Sequence, residues 1–212
     1  LRWKAAADAK AQQAGALMAE LAARQVQEAA ELNRLRQVQV EVKQRRREFE
    51  GELTALEEDS NNIASRLRTL AETPVGRVRR LMPLSSGGFI HPVDARITSG
   101  FGMRYHPILH YTKLHTGTDF GAGYGSTIHA AASGVIVVAG SMRGYGNTIV
   151  IDHGGGVSTL YGHCSALLVT EGQTINQGDP IGRVGATGYA TGPHLHFEVR
   201  RDGQPVDPMG YL

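Results

Sequence analysis

From Ala7 onward, every seventh residue reads Ala7, Ala14, Leu21, Glu28, Leu35, Val42, Phe49, Leu56, Ile63 and Leu70, and nine of these ten are apolar. Seven residues are two helical turns, so a chain with this pattern keeps one stripe of a helix apolar along its whole length. The companion series three residues earlier, Lys4, Ala11, Met18, Gln25, Leu32, Gln39, Arg46, Leu53, Ser60 and Leu67, is apolar at only half its places. Ala, Glu, Arg and Gln, all strong helix formers, fill the surroundings. The pattern predicts one helix from about residue 3 to about 72, roughly 100 Å long at about 1.5 Å per residue. Its apolar seam needs a cover, either a second chain in a coiled coil or the rest of this chain. The heptads run unbroken through "EDSNN" (58–62), the one place suited to a turn, which favours pairing between chains. Pro74 ends the helix, because the residue before a proline is pushed out of the helical region.

Composition changes sharply after this segment. Of 42 charged residues 27 lie before Pro83, whereas 24 of 27 glycines and all nine histidines lie after Ser86. Two kinds of physical object are therefore joined near "PLSSGG" (83–88). The net charge of +2 and pI near 8.8 are too mild, and the charges too interspersed, for nucleic-acid binding. "KQRRRE" (43–48), the densest basic run, reads as a solvated helix face. The lone Cys164 has no internal disulfide partner and reads as a small buried residue. No run reaches the roughly 20 apolar residues of a membrane span. A chain that begins at Leu1 rather than Met leaves room for a preceding targeting or anchoring segment.

Beyond Gly88 the period falls to two. "ARITSGF", "STIHAAA", "GVIVVAG", "NTIVIDHG", "VSTLYGH", "DPIGRVG" and "HLHFEVRR" are β-branched runs separated by "GYGN", "HGGG" and "RDGQ". They predict antiparallel strands joined by tight turns, an all-β domain.

Two clusters in this domain carry chemistry. "HTGTD" offers His115 and Asp119 four residues apart, and "HLH" offers His194 and His196. Strand residues two apart share a face, so His194 and His196 project together while Leu195 and Phe197 point to the core. Two imidazoles side by side favour the neutral form that a metal needs. His115, Asp119 and one of the 194/196 pair would give a catalytic zinc its three protein ligands. The alternative is a set of hydrogen-bonded polar residues on a sheet surface.

The order and spacing of "SGFGMRYHPILH…KLHTGTDF", "AAASGVIVVAG", "GYGNTIVIDHGGG", "TLYGH", "GDPIGRVGATG" and "TGPHLHFEVR" resemble the lysostaphin-like (LytM-type) zinc metallopeptidases of family M23, which cut peptide bonds in bacterial peptidoglycan. The resemblance implies that His115, Asp119 and His196 ligate Zn²⁺ and that His163 and His194 are catalytic histidines outside the ligand set. In this reading the two histidines orient or deprotonate the attacking water and return a proton to the leaving amine. The chain as a whole reads as α+β, with a helical coiled-coil region at 1–73, a linker at 74–89 and an antiparallel all-β peptidase domain at 90–212. The implied setting is extracytoplasmic, in the periplasm or cell envelope. The implied partners are peptidoglycan and, through the coiled coil, a second copy or an envelope protein. The competing function is a non-catalytic scaffold or activator of other cell-wall hydrolases, as in family members that have lost ligands. Among the remaining histidines, His91, His106 and His110 are candidates for substrate contact, and His129 and His153 read as structural.

Overall fold

The computed structural model describes residues 2–81, 88–106 and 111–212. Most of "PLSSGG", along with His110, falls outside the described residues, as do the side chains of Arg80, His106 and Tyr111. The described chain divides into two compact units, residues 1–50 and 51–212, although helix α1 (Arg2–Glu72) belongs to both. No helix among the described residues is long and apolar enough to cross a membrane.

The first unit is helix alone. Leu17, Met18, Leu21, Leu32, Leu35 and Val42 are all exposed, so the seam is uncovered at these positions. Arg45 and Arg46, from the basic run, pair with Glu41 and Glu50 one turn away at 2.8 Å. Such exposed pairs contribute only a few tenths of a kcal/mol each.

In the second unit α1 passes through "EDSNN" without a break and ends at Glu72. Thr73 caps the next helix, α2 (Pro74–Leu81), its Oγ1 accepting from the Gly76 N–H at 3.0 Å, with Pro74 at the first helical position. This helix occupies the first half of the stretch that composition suggests as a linker.

The strands are β1 (Ile97–Ser99), β2 (Gly102–His106), β3 (Tyr111–His115), β4 (Thr118–Phe120), β5 (Thr127–His129), β6 (Gly134–Met142), β7 (Gly146–Gly154), β8 (Val157–Leu167), β9 (Thr174–Ile175), β10 (Pro180–Val184), β11 (Leu195–Arg201) and β12 (Gln204–Val206). The main sheet runs β1-β4-β11-β8-β7-β6-β9, with β10 joining β5 to β8 and β12 lying on β11. Strands β2 and β3 form a separate hairpin. Every pairing is antiparallel, as the glycine-bounded alternation predicts.

One face of the sheet carries the main core, in which Phe120, Ile149, Ile151, Tyr161, Leu195, Phe197 and Val199 are fully buried. The other face is covered too. Ile63, Leu56 and Leu67 of α1 pack on Val138, Tyr145, Val150 and Leu160. The apolar stripe that the heptads assign to a partner chain is thus, in this unit, buried on the chain's own sheet. A glycine makes the approach close: a Cβ on Gly144 would lie 2.6 Å from Leu56 Cδ2 and 3.0 Å from Leu56 Cα. Asp59 locks the contact by accepting the Gly144 N–H at 2.6 Å.

Candidate metal centre and active site

Strand register assembles the site. Strand β11 lies between β4 and β8, with His196 opposite Asp119 on one side and Gly162 on the other. His115 closes β3, just before β4. The result is a triangle of donors. Asp119 Oδ1 lies 2.8 Å from His196 Nδ1 and 3.1 Å from His115 Nε2, and the two imidazole nitrogens are 3.3 Å apart. Among the described residues, this trio is the cluster whose ligand atoms could hold a metal ion.

The donor chemistry fits zinc. Bonds of about 2.0–2.2 Å in a tetrahedron put neighbouring donors roughly 3.3–3.5 Å apart. The observed separations of 2.8–3.3 Å are already close to that edge. The far nitrogens of both rings are also engaged, which fixes the ring orientations. His115 Nδ1–H donates to the Gly100 carbonyl at 2.7 Å, and Arg104 sits against the same nitrogen while donating to that carbonyl. His196 Nε2–H donates to Glu198 Oε1 at 3.1 Å. Burial opposes the charged His196 ring, yet the Asp119 and Glu198 carboxylates outweigh it and raise its pKa to about 9. Burial likewise disfavours a charged Asp119, but hydrogen bonds from His115 and His196 hold its carboxyl well below the usual carboxylate range.

His163 and His194 stand beside the trio, their ring centroids 4.7 Å apart. His163 has a left-handed backbone, φ 62°, rare for a residue with a Cβ. Its position follows from a bulge in β8, where the pairing with β7 slips between Asn147↔Cys164 and Ile149↔Tyr161. Bulges re-aim side chains in this way beside active sites. The His163 ring donates Nδ1–H to the Thr187 carbonyl and the His194 ring donates Nδ1–H to the Gly192 carbonyl, both at 2.8 Å. Nε2 of each ring is left as the basic nitrogen. Burial, reinforced by the neighbouring His196, lowers the pKa of His163 to about 4.

All five residues line one cleft of about 500 Å³. Arg104, Lys113, Tyr145 and Tyr189 line it as well, and Leu53, Leu56, Glu57 and Ser60 of α1 form one wall. The wall residues were not legible as site residues, because a heptad seam carries no mark of what it packs against. Glu198 and Arg200 carry a signal in the sequence: period two places them on the face of His196.

The remaining polar groups lie elsewhere. His91 packs edge-on against Phe120 at 5.8 Å. Asp152 pairs with Arg79 at 2.9 Å. Cys164 is buried, which pushes its thiol up to about 12 and leaves it inert. His153 is buried between the Ser133 carbonyl at 2.9 Å and Thr159 Oγ1 at 2.8 Å. Burial lowers its pKa from 6.5 to about 4, with Arg79 acting in the same direction and the Ser133 carbonyl and Asp152 opposing. Below pH 6.5 the unfolded chain takes up a proton at this position that the folded chain refuses, so stability falls as pH drops toward 4. Urea midpoints at pH 7 and 5 should show this group costing about 2 kcal/mol at the lower pH. A His153→Gln variant should lack that increment; an unchanged pH dependence would show that His153 protonates freely in the fold.

Comparison with known proteins places this geometry. The model of Peptidase family M23 matches residues 113–208. The catalytic domain of lysostaphin from Staphylococcus simulans is 32% identical, with a TM-score of 0.50 over 55% of this chain and 91% of that domain. The chain belongs to peptidase family M23. A zinc-containing peptidase from Vibrio cholerae is 40% identical, with a TM-score of 0.56 over 57% of this chain and 39% of its own. The DD-carboxypeptidase/endopeptidase Mpg of Neisseria meningitidis is 53% identical over 125 residues, 58% of this chain and 29% of that protein. The murein hydrolase activator EnvC of Escherichia coli is 40% identical over 96 residues, 45% of this chain and 23% of that protein. The M23 chain thus spans under a third of the length of these two curated relatives.

Proposed function

We propose that this M23 protein is a zinc-dependent endopeptidase that hydrolyses peptide bonds of bacterial peptidoglycan outside the cytoplasm. The observation that carries the reading is the convergence of His115 Nε2, Asp119 Oδ1 and His196 Nδ1, with two further histidines at their side. These three residues would hold the metal; when bound, zinc would supply Lewis acidity for the scissile carbonyl and lower the pKa of water to about 7. The chain's own groups do the rest. His163 and His194 present basic Nε2 atoms to the cleft, where one takes the proton of the attacking water and, once protonated, passes it to the leaving amine, while the other accepts a hydrogen bond from that water and orients it. Their Nδ1–H bonds to the Thr187 and Gly192 carbonyls keep each ring in the tautomer this exchange needs. The hydrogen bonds on the far nitrogens of His115 and His196 keep those rings facing Asp119.

The exposed seam of residues 1–50 is the surface for a partner helix, from a second copy or an envelope protein. The similarity to a hydrolase activator favours a second reading, in which the domain binds and switches on another enzyme. Mass spectrometry of products released from purified peptidoglycan by the zinc-loaded chain distinguishes the two. The endopeptidase yields new free amino ends, and His163→Ala abolishes them while still binding zinc. No release from the zinc-loaded wild type would overturn the endopeptidase in favour of the activator.

A further inference from the structure

A polar ladder runs from the candidate metal centre to α1. On β11, Leu195, Phe197 and Val199 enter the main core, so His196, Glu198 and Arg200 share the opposite face, the one under the helix. Glu198 and Arg200 are both fully buried and joined through Glu198 Oε2, which Arg200 Nε reaches at 2.7 Å. Glu198 Oε1 accepts from His196 Nε2–H, from Tyr145 Oη–H at 2.8 Å and from Thr116 Oγ1–H. Arg200 donates onward to Ser60, reaching Oγ at 3.0 Å and the carbonyl at 3.2 Å, and to the Gly203 carbonyl at 3.4 Å.

A buried pair of this kind needs an account. Taking two charges out of water costs several kcal/mol per ion, and apolar residues of similar volume are often as stable or more so. Stability alone therefore gives no reason for the pair. Ser60 raises the same question, because it stands between Leu53 and Leu67 in the companion series, on the stretch of α1 that packs on the sheet. Both oddities have one explanation. His196 can turn either ring nitrogen toward Asp119, and a carboxylate held rigidly behind Nε2–H leaves Nδ1 as the donor that faces Asp119. Glu198 is held rigidly because Arg200 occupies its other oxygen, and Arg200 is held because Ser60 accepts from both Nη1 and Nη2, beside the Gly203 carbonyl and Tyr145 Oη.

We propose that Glu198, Arg200 and Ser60 form a positioning relay through which docking of α1 on the sheet sets the orientation of His196 and hence the metal affinity of the site. The inference rests on the metal-centre reading above. It makes the helix around Ser60 a working part of the peptidase unit.

The test measures zinc affinity of the full chain by competition with a chromophoric chelator, together with the visible spectrum of the cobalt(II)-loaded protein and the melting temperature of the metal-free form. Glu198→Gln should weaken zinc binding about 10- to 100-fold. Ser60→Ala, which keeps the apolar packing and removes one hydrogen bond from Arg200, should weaken it about two- to tenfold. Both should alter the cobalt spectrum, whereas Ser65→Ala, exposed on the same helix, should match wild type in every readout. Unchanged affinity and spectrum in Ser60→Ala and Glu198→Gln, with only the metal-free melting temperature lowered, would reduce the ladder to scaffolding and overturn the relay. If His115→Ala binds zinc as tightly as wild type, the metal centre itself is misassigned and the relay falls with it.

Discussion

Asp119→Ala is expected to abolish peptidoglycan hydrolysis, lowering turnover at least about a thousandfold, equivalent to roughly 4 kcal/mol of transition-state stabilisation. Asp119 Oδ1 lies within 3.1 Å of both His115 Nε2 and His196 Nδ1, so its loss opens the triangle at its apex. Without the carboxylate, two imidazoles remain, too few protein ligands for a catalytic zinc site. Chelation of the wild type should reproduce the loss and added zinc should reverse it, while zinc should restore nothing to Asp119→Ala. Metal content and product release, measured on the same samples, check the prediction. A variant that keeps activity within tenfold of wild type would remove Asp119 from the metal site.

Ile63→Asp is expected to destabilise the second unit by more than about 4 kcal/mol, and Ile63→Ala by about 2–4 kcal/mol. Ile63 is fully buried among Val138, Tyr145, Val150 and Leu160, so the aspartate would lose its water with no cation among these neighbours, and the alanine would leave a cavity. Urea denaturation of the full chain, followed by circular dichroism in the β region, reads the loss. A midpoint unmoved in both variants would mean that α1 does not rest on the sheet in solution. The same packing predicts that residues 90–212 alone expose an apolar face and lose the Arg200–Ser60 contacts, so a fragment cut at the compositional boundary is expected to be less stable than one beginning at Gly51.

Much of this architecture is legible one residue at a time. Helix α1 follows from the heptads and the helix formers around them, and its end follows from Pro74. The strands follow from β-branched runs between glycines. The co-facing of His194 and His196 follows from the two-residue period, and His115 and Asp119 stand out as spaced donors in a chain with few other clusters of the kind. These are local properties, set by backbone sterics and side-chain spacing, and they survive being read without a fold.

Other features depend on contacts between distant segments. His163 reaches the cleft because a bulge turns it out of β8, and nothing in "YGH" specifies a bulge. Asp119 meets His196 because β11 takes a register between β4 and β8, a pairing across 77 residues. The apolar seam of α1 reads identically at Leu21 and Ile63, yet Leu21 is 48% exposed and Ile63 is fully buried. Sequence by itself determined the elements, their periodicity and the candidate donors. Only the tertiary structure decided which donors meet and which part of the helix belongs to the peptidase unit. The physical reason is that hydrophobic burial is non-directional: a heptad stripe specifies that a surface will be covered, and the sheet that covers it is chosen by long-range packing.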